Sequence, residues 1–186
     1  MEVDAEAIIH EHYRPGSRLA ELLLSHSRRV RDKALSVAAR VAHLNPDVTF
    51  IAQAALLHDI GIYWTRAPRI HCHGIHPYIC HGIIGRHILV PYGLEAHGLV
   101  CERHVGVGIT PAQIIARRLP LPVRDMQPVT LEEIIICYAD KFYSKTAGGQ
   151  AHTLAVILAE LARFGQEQVE RFEQWHRQFN PESANV

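Results

Sequence analysis

The stretch "TLEEIIICYADKF", residues 130 to 142, is apolar on almost every side of a helix and yet carries an aspartate near its end. A helix without a polar face belongs at the centre of a bundle. A carboxylate carried there is strongly unfavourable unless a cation, a set of donors or a metal compensates it. Whatever this chain folds into must surround this segment and answer Asp140. The plainest answer is an ion pair with a basic residue from another helix.

Elsewhere apolar residues recur at helical spacing, and no stretch sustains the two-residue alternation of a half-buried strand. The expected fold is all-α, with about six to eight helices. Ser17 suits the cap of a long helix running to about His43, stopped by Asn45-Pro46. The next helix runs from near Val48 to "HDIG", where Gly61 suits a helix C-terminus. The segment to Pro77 is rich in Gly, Pro and His and reads as a loop. Pro77 suits the first position of "YICHGIIGRHIL"; "LEAHGLVCERH" and "PAQIIARRL" follow, then a Pro-rich connector. Thr130 and Glu133 fit a capping box, "TAGGQ" at 146 to 150 reads as a flexible break, and the remainder reads as two helices split near Gly165. The expected organisation is one domain over residues 1 to 186, with a core over about 17 to 145 and helices over 151 to 179 packed on it.

The 186 residues carry 19 basic and 19 acidic side chains. No overall cationic field is available for nucleic acid phosphates or an anionic membrane, so small partners are expected, with a homo-oligomer left open. No apolar run is long enough to span a bilayer, and the acidic start has neither the basic region nor the apolar core of a signal peptide, so the chain reads as cytosolic. Four cysteines form no C-x-x-C pair and read as reduced thiols. The excess is in histidine, of which there are 14.

Several of these fall on apolar stripes. His26 lies one turn from Leu22, Leu23 and Val30; His58 follows Ile51, Ala54 and Ala55, with Asp59 next to it. His81 shares a stripe with Ile84, Gly85 and Ile88, and His104 with His97, Val100 and Cys101. Each alone could be an ordinary core histidine. Adjacent residues such as His58 and Asp59 point roughly 100° apart, so both reach one ion only near a helix end. Five helices that each direct an imidazole or a carboxylate inward are better explained by one shared site than by five accidents. Such donors suit Zn, Mn, Fe or Co. A carboxylate can bridge two ions, and two divalent ions against two aspartates leave a positive pocket that attracts phosphate and acidifies bound water.

"LLHDIG" at 56 to 61, with "HS" at 26 to 27 upstream and "YAD" at 138 to 140 downstream, resembles the HD-domain superfamily of metal-dependent phosphohydrolases over residues 17 to 145. The resemblance implies an all-α fold and makes His26, His58, Asp59 and Asp140 metal ligands. His81 and His104 match the H…HD…H…H…D branch, whose members hold two divalent metals, Fe, Mn, Co, Zn or Mg. The implied activity is hydrolysis of a small phosphate ester or nucleotide, with His58 and Asp59 catalytic and Asp59 bridging the metals. Lys141 and Arg103, next to ligands, are candidate phosphate contacts, with Arg86 and Lys145 behind them. His71, Cys72, His73 and His76 would then edge the pocket, although a separate zinc clip with Cys80 is a competing reading. The "GYP" signature of cyclic dinucleotide phosphodiesterases is missing, since "VGVGIT" follows His104, and Ile62 stands where several nucleotide-hydrolysing relatives carry lysine. Other relatives with six ligands are mixed-valence di-iron oxygenases, and a non-catalytic metal or nucleotide sensor is a third class.

Overall fold

The computed structural model describes residues 3–145 and 150–180, so most of the "TAGGQ" stretch lies outside the described residues. Helix starts follow side-chain chemistry. In α1 (Ala5–His12) the Asp4 carboxylate accepts from the Ala7 amide at 2.9 Å. This eight-residue helix has no counterpart among the expected elements. Ser17 accepts from the Ala20 amide at 3.2 Å and opens α2 (Arg18–Arg40). That helix stops short of His43: Ala42–Leu44 tighten into a 3-10 turn, and Asn45 takes a left-handed φ of 52°, which asparagine tolerates. Asp47 caps α3 (Val48–Leu57).

A 3-10 turn (Ile60–Trp64) then leads into a two-residue ribbon, β1 (Arg66–Ala67) antiparallel to β2 (Cys72–His73). Pro77 precedes another 3-10 turn (Tyr78–Cys80), so α4 (His81–Leu89) begins later than expected. The chain continues through α5 (Glu95–Arg103), α6 (Pro111–Ala116) and α7 (Leu131–Asp140). Thr110 with Gln113, and Thr130 with Glu133, close capping boxes at the starts of α6 and α7. After α8 (Leu154–Ala162), Gly165 at a φ of 116° breaks the chain before α9 (Gln166–Phe179). The architecture is all-α, with nine α-helices among the described residues, above the six to eight expected.

Helix α7 lies at the centre, packed on α2, α3, α5 and α9. Ile135, Ile136, Cys137 and Ala139 have no exposed surface, and they meet Val37, Ile51 and Phe172 in the main core. Full burial of each isoleucine stabilises by about 2 kcal/mol. A second core joins α1, the first half of α2 and the end of α3 through Ile9, Leu23, Leu57 and Ile60. Tyr13 ties α1 to that region by donating its hydroxyl to the Ile60 carbonyl at 2.6 Å.

Gly61 has a different role from the helix end expected of it. Helix α3 has already ended at Leu57, and the φ of Gly61 is not positive. A β-carbon on Gly61 would come within 2.1 Å of the His81 carbonyl and 2.4 Å of the Gly85 amide, so the glycine lets the turn after α3 lie directly on α4. Both obstacles are backbone and cannot swing away. Gly61→Ala is therefore expected to lower unfolding free energy by about 3 kcal/mol, read from urea denaturation at unchanged slope; a loss under about 1 kcal/mol would show that the two segments separate at little cost.

Candidate metal centre

Helix α3 ends just before His58 and Asp59, which turns these neighbours into one pocket: His58 keeps helical backbone, whereas Asp59 leaves it at φ −107°, ψ 9°. His26 enters from the middle of α2, His81 from the first position of α4, His104 from the end of α5 and Asp140 from the last position of α7. All six are buried, and His26, His58 and Asp59 have no exposed surface.

The six side chains form two donor groups that share one member. His26, His58, Asp59 and Asp140 make the first; Asp59, His81 and His104 make the second, and within each group one donor atom per residue lies within 4.8 Å of the others. Asp59 divides its oxygens between them. Oδ2 lies 3.2 Å from His26 Nε2 and 3.1 Å from His58 Nε2, while Oδ1 lies 3.4 Å from His81 Nε2 and 3.6 Å from His104 Nε2. Asp140 Oδ1 completes the first group, 3.0 Å from His26 Nε2 and 3.4 Å from His58 Nε2.

Backbone carbonyls fix the imidazole tautomers. Because a carbonyl can only accept, His58, His81 and His104 donate Nδ1–H to Ala55, Tyr78 and Cys101 at 2.7, 2.6 and 2.7 Å. The three Nε2 atoms then face inward. Those of His81 and His104 are 3.1 Å apart, two lone pairs directed at one another. Such contacts repel unless a cation lies between them. The donor set therefore fits a divalent metal on geometry and on ligand type.

The charge balance points the same way. Burial alone would lower the pKa of His58, but Asp59 and Asp140 overcome it and raise it to about 9, so without a metal His58 Nε2 holds a proton against the two carboxylates. Burial lowers His81 to about 3 and also lowers His104, keeping both neutral, the form in which imidazole can bind a metal. Burial would raise both aspartates; Lys145 and His58 instead hold Asp59, and Lys141 and His26 hold Asp140, well below the usual carboxylate range.

The two lysines follow α7. Lys141 Nζ lies 2.7 Å from Asp140 Oδ2 and donates to the His104 carbonyl at 3.3 Å; Lys145 Nζ lies 2.5 Å from Asp59 Oδ2. Both border a cavity of about 670 Å³ that opens from the donor groups. Arg103 is directed elsewhere, donating to both oxygens of Glu133 at 2.8 and 3.0 Å, and it does not border the cavity. Arg86 likewise pairs with Glu102, which Arg124 also grips. Among the described residues, His71, Cys72, His73, His76 and Cys80 do not gather as metal donors, and buried Cys72 belongs to the second core. Nor do His71, Cys72, His73 and His76 border the cavity as expected; Ala67, Arg69 and Ile70 just before them do, as do Ile157, Leu161 and Phe164 from α8 and the turn after it, which the sequence assigned only to core packing.

The sequence matches the HD domain over residues 23–144, and the chain belongs to that family, whose members are generally metal-dependent hydrolases. It is 36% identical over 124 residues to an uncharacterized protein of Methanocaldococcus jannaschii, which covers 65% of this chain and 66% of that one. It is also similar to two proteins named tRNA (cytidine(56)-2'-O)-methyltransferase. The one from Thermoplasma volcanium is 28% identical over 160 residues, 85% of this chain, and the one from Picrophilus torridus 36% over 126 residues, 67% of this chain. The chain spans 66%, 42% and 32% of these three relatives' own lengths. No solved structure matches it.

Lys145 and a metal would meet the same Asp59 oxygen, which makes the lysine a test of the site. Lys145→Met removes the ammonium partner of a buried carboxylate in chelated protein, a loss of about 3 kcal/mol. A divalent ion should restore most of it. The rise in melting temperature on adding manganese is thus expected to be larger in Lys145→Met than in wild type; an equal or smaller rise would separate the lysine from the metal donors.

Proposed function

We propose that this protein is a metal-dependent phosphohydrolase, a phosphomonoesterase or phosphodiesterase with a dinuclear centre, acting on a small phosphate ester or nucleotide. The observation that carries this reading is the division of the Asp59 oxygens between two donor groups beside a cavity bordered by two buried lysines. His26, His58, Asp59 and Asp140 would hold one divalent ion, and Asp59, His81 and His104 the other. The ions, when bound, supply an acidified water and positive charge opposite the phosphoryl oxygens.

The chain's own residues do the rest. Asp59 fixes the spacing of the two groups because one rigid carboxylate belongs to both. The carbonyl-anchored imidazoles hold their lone pairs in place before any ligand arrives. Lys141 and Lys145 present their ammonium groups to the cavity and bind the phosphate, an assignment that replaces Arg103, which does not border the cavity. In the overall reaction water adds to phosphorus, the ester P–O bond breaks, and the leaving alcohol departs with a proton. Two relatives bear the name of a tRNA-modifying enzyme, so nucleotides belong in the substrate panel.

Metal content per chain, by elemental mass spectrometry on protein purified without oxygen, is expected to be two, falling to one or fewer in His81→Ala. Phosphate release from a panel of esters and nucleotides should accompany manganese or cobalt, and Lys141→Ala should lower kcat/KM about 10- to 100-fold by removing a charged contact. One metal unaffected by His81→Ala would replace the dinuclear reading with a mononuclear one. Iron with oxygen consumption and no phosphate release would overturn the hydrolase in favour of an oxygenase.

A further inference from the structure

The cavity is much larger than a phosphate group and unlike it in character. Its inner end is polar, formed by His81, His104, Asp140 and the two lysines. Most of the remaining wall is hydrocarbon: Ile70, Ile79, Ile109, Leu119, Leu161 and Phe164 come from five separate parts of the chain. At about 670 Å³ it falls within the range that encloses an organic ligand of drug size.

Several polar side chains in that wall are committed to the protein itself. Gln168 spends both ends of its amide, Oε1 accepting from the Val107 amide at 3.1 Å and Nε2 donating to the Gly108 carbonyl at 3.0 Å. Gln113 Oε1 accepts from the Thr110 amide at 3.0 Å to complete the capping box of α6. Arg117 donates to the Phe164 carbonyl. Arg69 is exposed to solvent, as is Glu160, which faces His152. A nucleobase and ribose need a partner for each buried donor and acceptor, and groups left without one lose binding. This wall suits a group that needs none.

Building on the phosphohydrolase reading, we propose that the substrate is a phosphate monoester of an apolar alcohol. Its phosphate lies at the lysine end of the cavity, and its hydrocarbon lies against Ile79, Ile109, Leu119, Leu161 and Phe164. Hydrolysis consumes one water, breaks the ester P–O bond and releases inorganic phosphate and the alcohol, with no change of oxidation state.

The test uses the full chain loaded with manganese and the probes butyl, hexyl and octyl phosphate, kept below micellar concentrations, beside adenosine monophosphate. Initial rates should give a kcat/KM that rises about threefold with each added methylene, with octyl phosphate turned over better than the nucleotide. Ile79→Gln and Phe164→Ala should each reduce the preference for octyl over butyl. A kcat/KM that is flat along the series, or higher for the nucleotide, overturns the proposal while leaving the hydrolase in place. Titration calorimetry of the same phosphates separates the two failures. If no phosphate is released from any probe, the phosphomonoesterase reading falls; tighter binding of octyl than butyl phosphate then still supports the apolar-tail assignment, and equal binding refutes it.

Discussion

The structure depends on where α3 stops. Two adjacent side chains on a continuing helix diverge by about 100°, so His58 and Asp59 could not serve one centre if the helix ran on. Ending it at Leu57 brings both inward, and the turn that follows must then lie against α4 closely enough for His81 to reach the same carboxylate. Gly61 permits that approach. Backbone economy and donor geometry are thus one constraint: the absence of a β-carbon at residue 61 sets the distance between Asp59 and His81.

The centre also shows how a buried carboxylate is tolerated. Asp140 finishes a helix whose five preceding residues are inaccessible, and its desolvation is offset locally by Lys141 and by His26. Asp59 is offset from farther along the chain, by Lys145. Both ammonium groups border the cavity beside Asp140, His81 and His104, whereas His26 and His58 do not. An anion entering the cavity therefore meets cations first, and the low dielectric of the surroundings strengthens that attraction.

Much of this was legible in the sequence because it is local. The uninterrupted apolar faces of α7, the caps at Ser17, Thr130 and Glu133, and the break at Gly165 each depend on residues a few positions apart. The donors stood out as polar residues on apolar stripes. What could not be read depends on contacts across the fold. Arg103 sits beside a ligand in sequence, yet Glu133 on α7 draws its side chain away. Lys145 lies past the end of α7, where no periodicity says which way a side chain turns, and it reaches Asp59 from 86 positions away. Gly61 looked like a helix terminator because terminators and close-packing glycines are the same residue. The wall formed by α8 left no trace, since an apolar stripe facing a cavity has the same pattern as one facing a core.

That wall has a further implication. The stretch that matches the HD domain closes at residue 144, and the segment carrying Ile157, Leu161 and Phe164 begins after it. The donors and this part of the cavity wall are thus carried on separate lengths of chain. A lineage could exchange the second without disturbing the first, retaining one chemical apparatus while changing the molecules admitted to it.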